Sequence, residues 1–146
     1  MISVIISGHG HFPTALKESS GMIFGEEDNL MAVPFLKGEG IQTLQEKYKQ
    51  TLKGIPEEHE VLFLVDIFGG TPYNAATPYI VDDRRMDMAA GVNLPILLEA
   101  LSLRGHMPLK ELLNQLKNMS QQTFQVCSEH LENIKSAHQE REDELL

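Results

Sequence analysis

The chain has 146 residues, of which 42% are hydrophobic and 23% charged, a composition that suits one globular unit with its own core and excludes a disordered or fibrous chain. Its formal charge of −9 argues against a Lys- and Arg-lined groove for nucleic acid. The one cysteine, Cys127, leaves neither a disulfide framework nor a Cys-rich metal site, and its place in an apolar-alternating stretch predicts an inert, half-buried thiol.

The first predicted element is a strand over Ile2–Ser7, a continuous apolar run of the kind buried on both faces. It has no basic flank and stops at Gly8, too short for a signal-peptide core or a membrane span, so the expected location is cytoplasmic. Gly8–Phe12 reads as loop, and Pro13 suits the first turn of a helix carrying Ala15, Leu16, Ser19, Met22 and Ile23 on one face, with Met22 in the core. Leu30–Leu36 is a weaker strand whose Pro34 predicts an edge position. Ile41, Leu44, Tyr48 and Leu52 recur at helical spacing up to Gly54.

Val61–Val65 is the strongest strand signal, and it runs through Asp66 into a Gly69-Gly70-Thr71-Pro72 turn. Thr71 is expected to cap, and Pro72 to open, a helix through about Tyr79. A strand over Met86–Val92, a helix from about Pro95 to Arg104 and another beginning near Pro108 follow, with Leu97, Leu101 and the Leu109–Leu116 stripe as core. Thr123–Cys127 predicts a short fifth strand, and residues from about 130 to 146 a polar helix or tail ending in the solvated run Glu140–Glu144.

Four β-then-α units in succession predict a doubly wound α/β fold over residues 1–146, with a mostly parallel sheet covered by helices on both faces. Ligands in such sheets sit beyond the carboxyl ends of the strands, where the strand order reverses. That directs attention to three loops, Ser7–Pro13, Asp66–Asn74 and Gly91–Pro95, each with Gly beside polar groups.

In the first loop His9 lies between Gly8 and Gly10, which leave its imidazole open to another molecule. Asp66 alone would read as a carboxylate satisfying loop amides. With the strands in a 2-1-3-4 order, however, His9 and Asp66 emerge side by side. A carboxylate accepting from one ring nitrogen fixes the tautomer and leaves the other nitrogen as a lone-pair nucleophile. The Gly69-Gly70-Thr71 turn then offers backbone N–H groups at a helix N-terminus for a dianion, Thr71 adds a hydroxyl, and amides from Gly10 onward form a second set. No Walker-type loop is present, so nucleotide hydrolysis is not indicated. Phe12, Phe68 and Tyr73 surround the site, either as loop packing or as an apolar rim for docking partners. His59, His106, His130 and His138 read as surface residues.

Gly8-His9-Gly10 after the first strand, the run Leu62–Ala76 and the loop Ala90-Gly91-Val92-Asn93-Leu94-Pro95 together resemble the enzyme IIA component of the mannose/sorbose-type family of the phosphoenolpyruvate:sugar phosphotransferase system (PTS), over roughly Met1 to Arg104. The resemblance implies a phosphotransferase that accepts a phosphoryl group on His9 Nε2 from phospho-HPr and passes it to a IIB subunit or domain. Asp66 would bond Nδ1, and the membrane subunits IIC and IID would be served indirectly, with no cofactor. It also implies a homodimer exchanging an antiparallel edge strand, for which Thr123–Cys127 is the candidate. Some members have Thr before the His-Gly pair; Gly8 supplies no such donor here, so Ser7 or Thr71 must contribute more to phosphate contact.

Two alternatives stand beside this, and a third, a histidine phosphatase, is argued against by the sequence. His9, His11 and Asp66 form a possible two-His-one-carboxylate metal set, as in a hydrolase or chelatase. An anion-binding module would use the Gly69–Pro72 turn to hold a permanent phosphate, with His9 incidental. A histidine phosphatase needs Arg directly before His-Gly, where this chain has Gly8.

Overall fold

The computed structural model describes residues 1–145. Strands β1 (Ile2–His9), β2 (Leu30–Phe35), β3 (Glu60–Val65) and β4 (Met86–Ala90) form one sheet in the order β2-β1-β3-β4, all neighbours parallel. Helices α1 (Phe12–Phe24), α2 (Ile41–Lys53), α3 (Thr71–Asp82) and α4 (Leu94–Leu103) follow the four strands in turn, and α5 (Leu109–Met119) and α6 (Cys127–Glu144) complete the chain. The predicted doubly wound sheet and its strand order are therefore present, with β2 at an edge where Pro34 costs no ladder bond. No helix among the described residues is long and apolar enough to cross a membrane.

Alternation along the strands divides the interior into two layers. Val4, Ile6, Leu62 and Leu64 face Leu97, Ala100, Leu101, Leu109, Leu112 and Leu116 of α4 and α5, with Leu16 of α1 packed alongside. Ile5, Val61 and Phe63 point the other way, onto Leu44 and Tyr48 of α2 and Ala75 and Ala76 of α3. The small Ala75 and Ala76 let α3 lie close on the sheet, which brings its N-terminus to the strand ends.

Among the described residues, Arg104 is the one charged side chain in this interior, 6% exposed. It donates to the carbonyls of Ile2, Asn29 and Asp28 and to Glu27 Oε2, fastening the end of α4 to the start of the sheet. An Arg104→Met variant keeps the apolar stem but strands several of those acceptors. A loss of about 2–4 kcal/mol is expected, read as a lowered urea midpoint with unchanged slope.

Several expectations are corrected. Residues Ser120–Thr123 form a 3-10 turn rather than the start of a strand, Phe124 and Val126 have extended backbone without a strand partner, and Cys127 opens α6. The alternating pattern there is real, but a β-strand needs a neighbour and the open edge of β4 is not occupied by it. Cys127 is exposed, not half-buried. Met22 is 85% exposed: α1 buries Pro13 and Ser20 and turns Met22 and Ile23 outward, because its apolar residues run round most of the helix and the sheet selects one stripe. His59 is more than a surface residue, since its Nδ1 meets the hydroxyl of the buried Ser3 at 2.9 Å.

Candidate phosphoryl-acceptor site

The sheet order reverses between β1 and β3, and their carboxyl ends carry His9 and Asp66. Asp66 Oδ2 accepts twice from the same residue, from the His9 backbone N–H at 2.9 Å and from ring Nδ1 at 2.7 Å. Its Oδ1 accepts from the Ile67 N–H at 2.9 Å. Burial alone would push the Asp66 carboxyl up, but the bonds from the His9 backbone, the His9 ring and the Ile67 amide outweigh it, and the carboxyl is held below its ordinary range. An ionised Asp66 is acceptor-only, so Nδ1 carries the proton and the Nε2 lone pair is free. The His9 side chain is 49% exposed and Asp66 14%, so the carboxylate is sheltered while the ring is open.

Two glycines make this pairing possible. A Cβ on Gly8 would lie 3.0 Å from Asp66 Cγ and 3.0 Å from Phe12 Cδ1, so the carboxylate and the Phe12 ring occupy the space a side chain would need. The family-type side-chain donor missing at position 8 is thus replaced by room for Asp66. A Cβ on Gly70 would lie 3.2 Å from His9 Cε1, so the backbone of the third-strand loop comes right against the imidazole, one bond from Nε2. A Gly8→Ala variant should displace Asp66, slow phosphoryl transfer about tenfold or more, and cost about 1–3 kcal/mol in a thermal or urea melt.

The candidate anion cradle is the start of α3. Gly70, not Thr71, is the N-cap, and the first helical bond runs from Asn74 N–H to the Gly70 carbonyl. The amides of Gly70, Thr71 and Tyr73 precede that bond and have no intrahelical acceptor, and the Thr71 hydroxyl is not taken up by capping. Gly69 turns the chain at φ 78°, a left-handed conformation that suits glycine, and its carbonyl accepts from Asn74 Nδ2 at 3.0 Å.

Ser7 and Gly10 stand elsewhere than expected. The Ser7 hydroxyl is fully buried and donates to the Val33 carbonyl at 2.8 Å, with Tyr48 Oη 2.7 Å away, so it does not face the open side of His9. The Gly10 N–H is spent on the Phe35 carbonyl at 2.8 Å. In the first loop only the amides of α1's opening turn remain, ahead of the Ala15 N–H to His11 carbonyl bond. The donors still open in the two loops are therefore mainly those of α3's first turn.

His11 is the exposed N-cap residue of α1 and does not join His9 and Asp66; no group of three His, Cys, Asp or Glu side chains placed to hold a metal occurs among the described residues. Around the ring, Phe12 is 37% and Phe68 79% exposed, and Phe68 packs on Tyr73 with ring centroids 4.7 Å apart. Two further apolar neighbours went unforeseen: Ile67, 55% exposed, and Phe35, edge-on to the imidazole at 5.7 Å. The register pairing His9 with Phe35 across β1 and β2 is what brings Phe35 there. The third loop joins through Gly91 and Val92, both donating to the Val65 carbonyl, and Asn93 caps α4 through Ile96 N–H while reaching Thr123 Oγ1 at 2.9 Å.

The family EIIA-man, described as the PTS system fructose IIA component, matches residues 3–117. The chain is 81% identical over 146 residues to the PTS system fructose-specific EIIA component of Bacillus subtilis (strain 168), covering 99% of this chain and 100% of that protein. It is 39% identical over 107 residues to the PTS system mannose-specific EIIAB component of Escherichia coli (strain K12), where the match takes in 73% of this chain and 33% of the longer protein. Among solved structures, the phosphotransferase system component EIIA from Streptococcus agalactiae superposes with a TM-score of 0.80 at 25% identity, over 88% of this chain and 98% of that one. The chain therefore belongs to the mannose-type IIA family and is a phosphoryl carrier of a sugar phosphotransferase system.

Proposed function

We propose that His9 is the residue that carries the phosphoryl group, receiving it on Nε2 from phospho-HPr and giving it up to a IIB subunit or domain. The observation that carries this is the Asp66–Nδ1 bond, which leaves Nε2 as the free nucleophile on an open ring beside first-turn amides of α3 that have no intrahelical acceptor. The Nε2 lone pair forms the new N–P bond as the donor's N–P bond breaks, and that bond's electron pair returns to the donor imidazole. The proton on Nδ1 stays where it is, held by Asp66, so the ring's positive charge is met by a carboxylate as it develops. The amides of Gly70, Thr71 and Tyr73 and the Thr71 hydroxyl receive the phosphoryl oxygens.

Phe12, Ile67, Phe68 and Tyr73 form the apolar rim on which the two partner proteins dock in turn, at the same open face. Fructose is the sugar at the end of the relay, by likeness to the Bacillus subtilis component named for it. The protein works in the cytoplasm, and pairs as a homodimer through the C-terminal segment beyond Thr123, which has exposed Phe124 and Val126. The test is to incubate the protein with phosphoenolpyruvate, enzyme I and HPr. Acid-labile, base-stable phosphate mapped to His9, and passed on when IIB is added, is the expected result; phosphate on another residue, or none, overturns the proposal.

A further inference from the structure

One buried group beside the site is not used by the chemistry so far. Tyr48, on α2, is fully buried with its ring edge-on to Phe63 at 5.3 Å. Its Oη lies 2.7 Å from Ser7 Oγ and 2.9 Å from the Pro72 carbonyl. Those contacts lead to the supports of the acceptor site. Ser7 is two residues before His9 and is itself bonded to the Val33 carbonyl, two residues before Phe35, the ring that backs the imidazole. Pro72 is the second residue of α3 and follows Thr71 directly.

We infer that Tyr48 is a positioning residue for phosphoryl transfer, its hydroxyl setting the distance between the first turn of α3, which receives the phosphoryl oxygens, and the end of β1, which holds the nucleophile. This rests on His9 being the acceptor.

Proton counting shows why the contact is more than ordinary packing. Three oxygen–oxygen contacts link Val33, Ser7, Tyr48 and Pro72, but only two hydroxyl protons are present to fill them. With the Ser7 proton on Val33, the Tyr48 proton serves either Ser7 or Pro72. The phenol is therefore a joint between β1 and α3 with two proton arrangements of similar geometry. Burial, and the nearby negative charge of Asp66, push its ionisation well above the ordinary range although the Ser7 bond opposes this, so it stays a donor throughout. Replacing it with Phe leaves Pro72 without that donor and Ser7 without that partner, in the layer directly under the site.

A built-in control exists. Tyr79 Oη donates to the Gln45 carbonyl at 3.2 Å, a second tyrosine hydroxyl joining α3 to α2, but from a position two turns along the helix from Thr71. The experiment compares full-length wild type, Tyr48→Phe and Tyr79→Phe for phosphorylation by phospho-HPr, with a urea melt of each at the assay temperature. Expected for Tyr48→Phe is a kcat about 10–30-fold lower with KM for phospho-HPr within about twofold of wild type, plus a shifted His9 ring N–H signal by NMR. Tyr79→Phe should match wild type in both constants and in that signal. Equal kcat for the two variants, a change confined to KM, or a Tyr48→Phe chain that is simply unfolded overturns the inference. Wild type that takes up no phosphate on His9 defeats the relay proposal instead, and with it this refinement.

Discussion

A His9→Ala variant is expected to take up no phosphate from phospho-HPr, a loss of at least about 10⁴-fold in transfer rate, while folding as well as wild type. The ring is half exposed and lies outside both packed layers, so removing it creates no cavity in the core. The backbone N–H of residue 9 still reaches Asp66 Oδ2, so the loop keeps its anchor. Radiolabel transfer and a urea melt on the same preparation separate the two effects. Retained labelling would move the acceptor elsewhere, and the exposed His11 nearby is the residue to examine next. The variant also distinguishes the relay from a permanent anion site: phosphate held only by the α3 amides would remain bound, and would dissociate without acid treatment.

The second large effect is expected at Asp66. Asp66→Asn preserves shape but supplies one acceptor oxygen and one NH2 in place of two acceptors. Three N–H groups now point at those two atoms, from His9 N, His9 Nδ1 and Ile67 N. Whichever way the amide turns, an N–H meets another N–H, or the ring moves its proton to Nε2 and loses the nucleophilic lone pair. The loss of negative charge opposite the phosphorylated ring adds to this. A drop of about 10²–10⁴-fold in transfer is expected, comparable to loss of the orienting carboxylate in other histidine-based sites. The stability consequence has a definite sign. The carboxyl is held below its ordinary range in the folded state, so its contribution is fully present above the usual carboxylate range and is lost as pH falls through the folded value. The wild type should therefore melt higher than Asp66→Asn at neutral pH, and the gap should close toward strongly acidic pH. A gap that widened with acid would contradict the assignment of Asp66 as the ionised partner.

The sheet was legible because each strand is short, apolar and followed by its own amphipathic helix, and a series of such units has few ways to pack. His9 and Asp66 could be paired from that topology alone, since neighbouring parallel strands deliver their ends to the same place. Other parts of the site depend on register and on which donors are already spent. Phe35 faces His9 only because β2 pairs in one register with β1, and nothing in the spacing of Phe35 from its neighbours marks it. Ser7 and Gly10 have the right chemistry for phosphate, but their donors go to the carbonyls of Val33 and Phe35 on the neighbouring strand. Tyr48 sits at helical spacing with Leu44 and so reads as core, which it is; its hydroxyl acquires a second role from the two chain segments above it. The segment Thr123–Cys127 shows the converse limit. Its alternation suits a strand, yet alternation specifies a face and supplies no neighbour to pair with.

The two loops that make the site, Ser7–Ala15 and Asp66–Tyr73, contain no Lys or Arg. A dianion placed there meets dipoles and a hydroxyl, with a carboxylate on the far side of the ring, and no Lys or Arg from these two loops. For an enzyme that keeps its product this would be a weak grip. For a courier the weakness is useful, because a cargo clamped by two guanidinium groups would sink into a well from which the next histidine could not lift it. On the proposal that His9 is the carrier, such a site would place the phosphate without burying it in a deep well, and leave the group free to pass onward.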